Sequence, residues 1–113
     1  MKKYTIEQTE TTYEIFCGQN AQENWDIISD SEQNDIWFHL EDNPSPHVVL
    51  KTQGKKMCNI DKKIIYYCAC VCKENSKFAK MNTVKMIYTE IKNVTKGEEV
   101  GSVHTKKVKK MKV

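Results

Sequence analysis

Asp35-Ile36-Trp37-Phe38-His39-Leu40, followed two residues later by Asn43-Pro44-Ser45-Pro46-His47-Val48-Val49-Leu50, is the stretch whose reading decides the fold. Each half alternates apolar and polar residues, the signature of a strand with two unlike faces. On the first strand Ile36, Phe38 and Leu40 share one face, while Asp35, Trp37 and His39 share the other. On the second, Val48 and Leu50 oppose His47 and Val49. Pro44 and Pro46 each fix their own φ and push their predecessors out of the helical region, so the connection between the strands is extended. The product is a β-hairpin with an indole and two imidazoles on one face, which is expected to be the solvent side. The pattern is equally satisfied by a Trp37 covered by a helix and by histidines hydrogen-bonded at a core rim.

Outward from this hairpin, Lys3–Glu7 and Tyr13–Cys17 alternate and read as an N-terminal hairpin around residues 8–12. Gly18 stops the second strand. Asn20 is placed to cap a helix over Ala21–Ser29, with Glu23 in capping-box position three residues on. Residues 52–57 form a lysine-bearing loop, and Asn59 or Asp61 caps the longest helix, which runs to about Ser76. Ile64, Ile65, Cys68, Val71 and Cys72 form its apolar stripe, opposite Lys62, Tyr66, Cys70, Lys73 and Lys77. Asn82–Ile91 alternates as a strand, residues 92–99 are turn-rich, and Gly101–Thr105 with Val108–Val113 read as a terminal strand pair. The expectation is a single α+β domain over residues 1–113. It has an antiparallel or mixed sheet, two helices and the order ββ-α-ββ-α-βββ.

Charge is nearly balanced overall, at +3, but not along the chain: residues 1–50 carry a net −8 and residues 51–113 a net +11. A basic half suits a polyanion, while an acidic half can equally attract the basic one. All 18 basic residues are lysine, which suggests AT-rich coding. Lysine contacts phosphate as a point charge and lacks the fork that reads guanine edges, so backbone-directed binding is expected over base readout. No apolar run approaches the ~20 residues that span a bilayer, and the N-terminus lacks a hydrophobic signal core. The expected location is therefore cytoplasmic (a host cytoplasm for a viral source), with the five cysteines reduced and no membrane partner.

Cys68-x-Cys70-x-Cys72 has the look of a metal motif. On a helix, however, Cys70 points ~200° away from Cys68, so the three cannot converge on one ion. Buried thiols behaving as small hydrophobes are expected, with no metal and no cofactor. Asp35 and His39 are too far apart along a strand to form a hydrolytic pair, and no phosphate-binding loop or nucleophile elbow occurs. No catalytic residue and no small-molecule substrate is expected.

Asp35-Ile-Trp-Phe-His39 with Pro44-x-x-His47-Val-Val resembles the "D-x-W-F-H … P-G-S-H-V" signature of the NFACT-R family. Three further segments are similar to that family's pattern in the same order: residues 18–27, residues 75–89 and residues 96–103. The resemblance implies a non-catalytic RNA-binding module linked to translation or ribosome quality control, with a tRNA, a ribosomal RNA or the ribosome as partner. The implied nucleic-acid contacts are Trp37, His39 and His47 from the signature and Lys77 from the basic position after a helix-terminal serine. Lys73, Lys80, Lys106 and Lys107 join them from the basic half, and Trp37 is expected to stack on a base. The alternative is a protein-interaction module that docks a ribosomal or host protein through the acidic half or a sheet edge.

Overall fold

The computed structural model describes residues 1–113. Strands β1 (Lys2–Gln8) and β2 (Thr11–Cys17) form the N-terminal hairpin, followed by helix α1 (Ala21–Ser29) and strands β3 (Ile36–Leu40) and β4 (Val48–Leu50). Helix α2 (Lys62–Glu74) leads to β5 (Lys85–Glu90), β6 (Val94–Lys96), β7 (Val103–Thr105) and β8 (Lys109–Lys112). Six strands make one antiparallel sheet in the order β1-β2-β4-β3-β5-β8, and β6 and β7 form a separate two-stranded hairpin. The fold is α+β, as expected. Two local expectations are corrected. The chain has four strands after α2, because the turn-rich segment supplies β6. The two terminal strands do not pair with each other: β7 takes β6, and β8 crosses to the free edge of β5.

Both helices are capped by the residues the sequence offers. Asn20 Oδ1 accepts the Glu23 N–H at 2.9 Å, and Asp61 Oδ1 accepts the Lys63 N–H at 2.8 Å. The Glu23 carboxylate reaches back one residue further than a capping box requires and accepts the Gln19 N–H at 3.0 Å. Helix α2 lays Ile64, Ile65, Cys68, Val71 and Cys72 on the sheet, where they meet Ile15, Ile36, Phe38, Leu40, Val48, Leu50 and Met86 in the main core. Cys68 and Cys72 are wholly buried, as their place on the stripe requires, while Cys58 is exposed. Burial pushes the Cys68 thiol strongly up and the Cys72 thiol up to about 12.

The other face of the sheet is also covered. Ile27 and Ile28 of α1 pack on Trp37, Val49 and Ile91, joined at the margin by Val94 and Val103 of the β6–β7 hairpin. The molecule therefore has three layers, with the sheet in the middle. The expected solvent side of the central hairpin is an interior face: Trp37 is 1% exposed and His47 4%.

Candidate nucleic-acid interface

Antiparallel register fixes what meets at each end of the sheet. Ile36 pairs with Leu50, Trp37 with Val49 and Phe38 with Val48, so the next position sets His39 opposite His47. Their rings meet edge to face at 5.0 Å between centroids. Trp37 stacks on His39 at 5.6 Å and takes His47 against its edge at 5.5 Å. The three signature rings thus form one cluster, as expected, but it is a cluster rooted in the interior. An indole 1% exposed is not a stacking platform in this conformation, which corrects the expected base-stacking role of Trp37. Its work is visible in its hydrogen bond.

Trp37 Nε1–H donates to His47 Nδ1 at 3.1 Å. Indole nitrogen can only donate, so Nδ1 holds the lone pair and the His47 proton sits on Nε2. His39 is fixed in the opposite sense. Its Nδ1 lies 2.5 Å from the Leu40 carbonyl oxygen, which can only accept, so Nδ1 holds the proton and Nε2 the lone pair. Burial, and then the neighbouring His39, push His47 down to about 3, and burial lowers His39 against the opposing pull of the Leu40 carbonyl. Both rings are neutral at pH 7, with tautomers set by their partners: one free nitrogen is a donor and the other an acceptor.

The backbone around His47 is held from two sides. Gly18 N–H donates to the His47 carbonyl at 3.0 Å, and the His47 N–H donates to Asn24 Oδ1 at 3.1 Å. Gly18 is required by close approach, since a Cβ there would fall 2.1 Å from Asn24 Oδ1 and 3.0 Å from the Asn24 backbone nitrogen. Ser45 donates its hydroxyl to the Pro46 carbonyl and accepts the Leu40 N–H, tying the proline turn to the end of β3.

These groups open on a cleft of about 510 Å³ at one end of the sheet, bordered by His39, His47, the 44–46 turn, residues 17–21 with Asn24, Lys2, Asn75 and residues 100–101. Gly101 (φ +88°) closes it from above, with its α-carbon against Ala21; an added Cβ would meet Ala21 at 3.0 Å. Lys2 Nζ is steadied by Asn75 Oδ1 at 3.0 Å, which brings the C-terminus of α2 to the same rim. Lys2, Asn24, Asn75 and Gly101 are site residues that the sequence reading did not single out. Asn24, Asn75 and Gly101 lay inside family-like segments, but nothing local marks Lys2, which arrives by long-range pairing.

The predicted lysines divide. Lys73 sits in the last turn of α2, whose C-cap Asn75 borders the cleft, and Lys77 and Lys80 follow that helix, both exposed. Lys85 and Lys112 face each other across β5–β8 at the cleft end of the sheet, and Lys110 pairs with Glu41 at 3.2 Å. Lys73, Lys77, Lys80, Lys85 and Lys112 form no ion pair. Lys106 and Lys107 are exposed too, but the Thr89 hydroxyl binds their carbonyls toward the opposite end of the sheet, so they do not join the cleft. That far end also holds Asp35, which is 2% exposed and accepts the Thr52 and Glu32 N–H groups. Asp35 is a structural carboxylate remote from both histidines. Lys51 is tied to it at 3.4 Å, and Lys55 Nζ donates to the Tyr13 hydroxyl.

Comparison with known proteins gives a consistent result. The family model described as "NFACT protein RNA binding domain" matches residues 1–107. The chain is similar to coiled-coil domain-containing protein 25 of Mus musculus, with 36% identity over 107 residues, 91% of this chain and 51% of that protein. Similarity extends to the Dictyostelium discoideum homolog of that protein, with 34% identity over 95 residues, 80% of this chain and 46% of that one. The chain thus spans about half the length of the curated relatives it matches. The C-terminal structure of the fibronectin/fibrinogen-binding protein from Streptococcus suis superposes with a TM-score of 0.83 at 23% identity, over 100% of this chain and 45% of that one. At that identity the likeness bears on the fold.

Proposed function

The chain belongs to the NFACT protein RNA binding domain family, and from that premise we propose that it is a non-catalytic RNA-binding module working at the cleft end of its sheet. A segment of tRNA or ribosomal RNA is the proposed partner, in the setting of translation or ribosome quality control. One observation carries the reading: a polar cleft walled by the family's signature histidines has Lys2 and the α2 C-cap Asn75 on its rim, and the lysines of the α2 C-terminus, which form no ion pair, follow that cap in sequence. Lysine ammonium groups neutralise phosphates and release counterions, which supplies affinity without sequence preference. Two neutral histidines in fixed tautomers are suited to hydrogen bonding. They are poorly suited to acid catalysis at pH 7, since His47 is neutral down to about pH 3.

Filter binding of a structured RNA across a salt series tests this. Affinity should fall steeply with salt, and a Lys73→Ala/Lys77→Ala/Lys80→Ala variant should bind more weakly. Its salt slope should be shallower by about one unit for each phosphate that is no longer neutralised. The weakening should be similar for unrelated sequences of one shape. Unchanged affinity in that folded variant would remove this surface and favour docking of a protein partner through the acidic half or a sheet edge.

A further inference from the structure

We propose that the cleft recognises a ribose 2′-hydroxyl, held between His47 Nε2–H and His39 Nε2, and so selects RNA over DNA. The inference rests on the RNA-binding reading above and specifies which chemical group of the RNA is read. The His47 side chain belongs to a residue only 4% exposed, yet its Nε2–H has no acceptor within the protein, and the residue borders both the cleft and a smaller adjoining pocket that it shares with His39, Trp37 and residues 101–103. His39 Nε2 likewise has no donor, and its ring lies 5.0 Å from that of His47 on the same wall. A free donor and a free acceptor on rings whose centroids lie 5.0 Å apart call for a group that is both.

A phosphate diester oxygen offers lone pairs alone and would leave His39 Nε2 facing a like pole. A hydroxyl satisfies both rings at once, because its oxygen accepts from His47 and its proton goes to His39. In nucleic acids the group that meets this description along every nucleotide, and that distinguishes RNA from DNA, is the 2′-hydroxyl. The surroundings suit the rest of a nucleotide. Lys2 Nζ stands on the rim, and the first-turn N–H groups of Ala21 and Gln22 have no acceptor in the chain, so an adjoining phosphate meets positive potential beside the hydroxyl. Trp37 and the Leu40 carbonyl are positioning groups: they face the protein, and each sets the proton of one histidine.

The test uses one single-stranded sequence synthesised as RNA, DNA, 2′-O-methyl RNA and 2′-fluoro RNA, with affinity read by fluorescence anisotropy at fixed salt. Fluoro and methoxy substituents keep the RNA-like sugar pucker but cannot donate a proton to His39, so they separate reading of the hydroxyl from reading of shape. The expected order is RNA tighter than the other three by about three- to tenfold, the fold-change of one hydrogen bond. His39→Phe, which keeps a ring against Trp37 and removes the acceptor, should abolish the preference for RNA over 2′-fluoro RNA, the probe that lacks only the donated proton. Equal binding of RNA and 2′-fluoro RNA by the wild-type protein would overturn the hydroxyl site while leaving salt-dependent RNA binding standing. Absence of binding to every probe would overturn both. Because the decisive comparison uses the wild-type chain, it holds even if His39→Phe fails to fold.

Discussion

The two faces of the central sheet are built from the same strands and differ in almost everything else. Toward α2, 18 buried apolar residues close a continuous core. Toward α1 and the β6–β7 hairpin, the buried apolar cluster has five members, and the buried polar side chains His47, Thr89 and Asn93 sit beside it. The first face has the apolar area that offsets chain entropy. The second gives part of its interior to oriented hydrogen bonds, which contribute little net stability but set the proton on each ring. Stability and recognition are thus assigned to opposite sides of one sheet, with β3 and β4 serving both through alternate residues.

The largest effect that would break this contrast lies on the α2 face. Phe38→Ala should lower the unfolding free energy by about 3–5 kcal/mol, measured by urea denaturation, because the side chain is fully buried and its removal leaves a cavity that the surroundings fill only in part. Ile27→Ala, on the other face, should fall near the low end for its type, at about 2 kcal/mol, since its cluster is small and open at the margin. Equal losses would mean the two cores are energetically alike.

Acid and alkali should probe the faces separately. His47 has an unfolded value near 6.5 and a folded value of about 3, so below pH 6.5 the unfolded chain binds the extra proton and stability falls as pH drops. Between pH 7 and pH 5 the loss should be about 2 kcal/mol, with His39 acting in the same direction. On the α2 face the thiols work in reverse. Cys72 is raised from 9.0 to about 12 and Cys17 to about 11, so the folded chain keeps protons that the unfolded chain releases above pH 9, and stability falls there. Urea midpoints across pH, for wild type and His47→Gln, check this: the variant should flatten the acid limb and leave the alkaline limb in place. A wild-type-like acid limb in His47→Gln would place the acid sensitivity elsewhere.

The smallest polar effect is in Trp37→Phe, where the lost Nε1–H donor should contribute about 1 kcal/mol beside the cost of the space left by the smaller ring. The substitution also frees the His47 tautomer, which NMR of the ring nitrogens would report as a mixture instead of a single Nε2–H form. An unchanged nitrogen spectrum would show that the indole does not set that proton.

Much of this was legible from spacing. The caps at Asn20 and Asp61, the Cys68/Cys72 stripe and the shared face of Trp37, His39 and His47 follow from periods of 3.6 and 2, which are local properties. The burial of Trp37 was not legible, because its cover comes from Ile27, Ile28 and a 94–105 hairpin of which the second strand alone showed in the alternation, its three-residue partner β6 being too short to announce itself. The partner of β8 was hidden for a related reason. Alternation tells which face a residue takes, but the choice of partner strand depends on which sheet edge remains open, and β5 offered one. Composition groups Lys106 and Lys107 with the other lysines, whereas the turn held by Thr89 separates them.

The interlock of Gly18, Asn24 and His47 bears on how the sequence can drift. Once a side chain at position 18 has displaced Asn24 Oδ1 from the His47 N–H, losing the Asn24 amide adds little further harm. The two substitutions should therefore be strongly non-additive, the double variant scarcely worse than the more damaging single one. Such epistasis makes a path through either single change steep, and descendants of this chain should keep the pair together or replace it together.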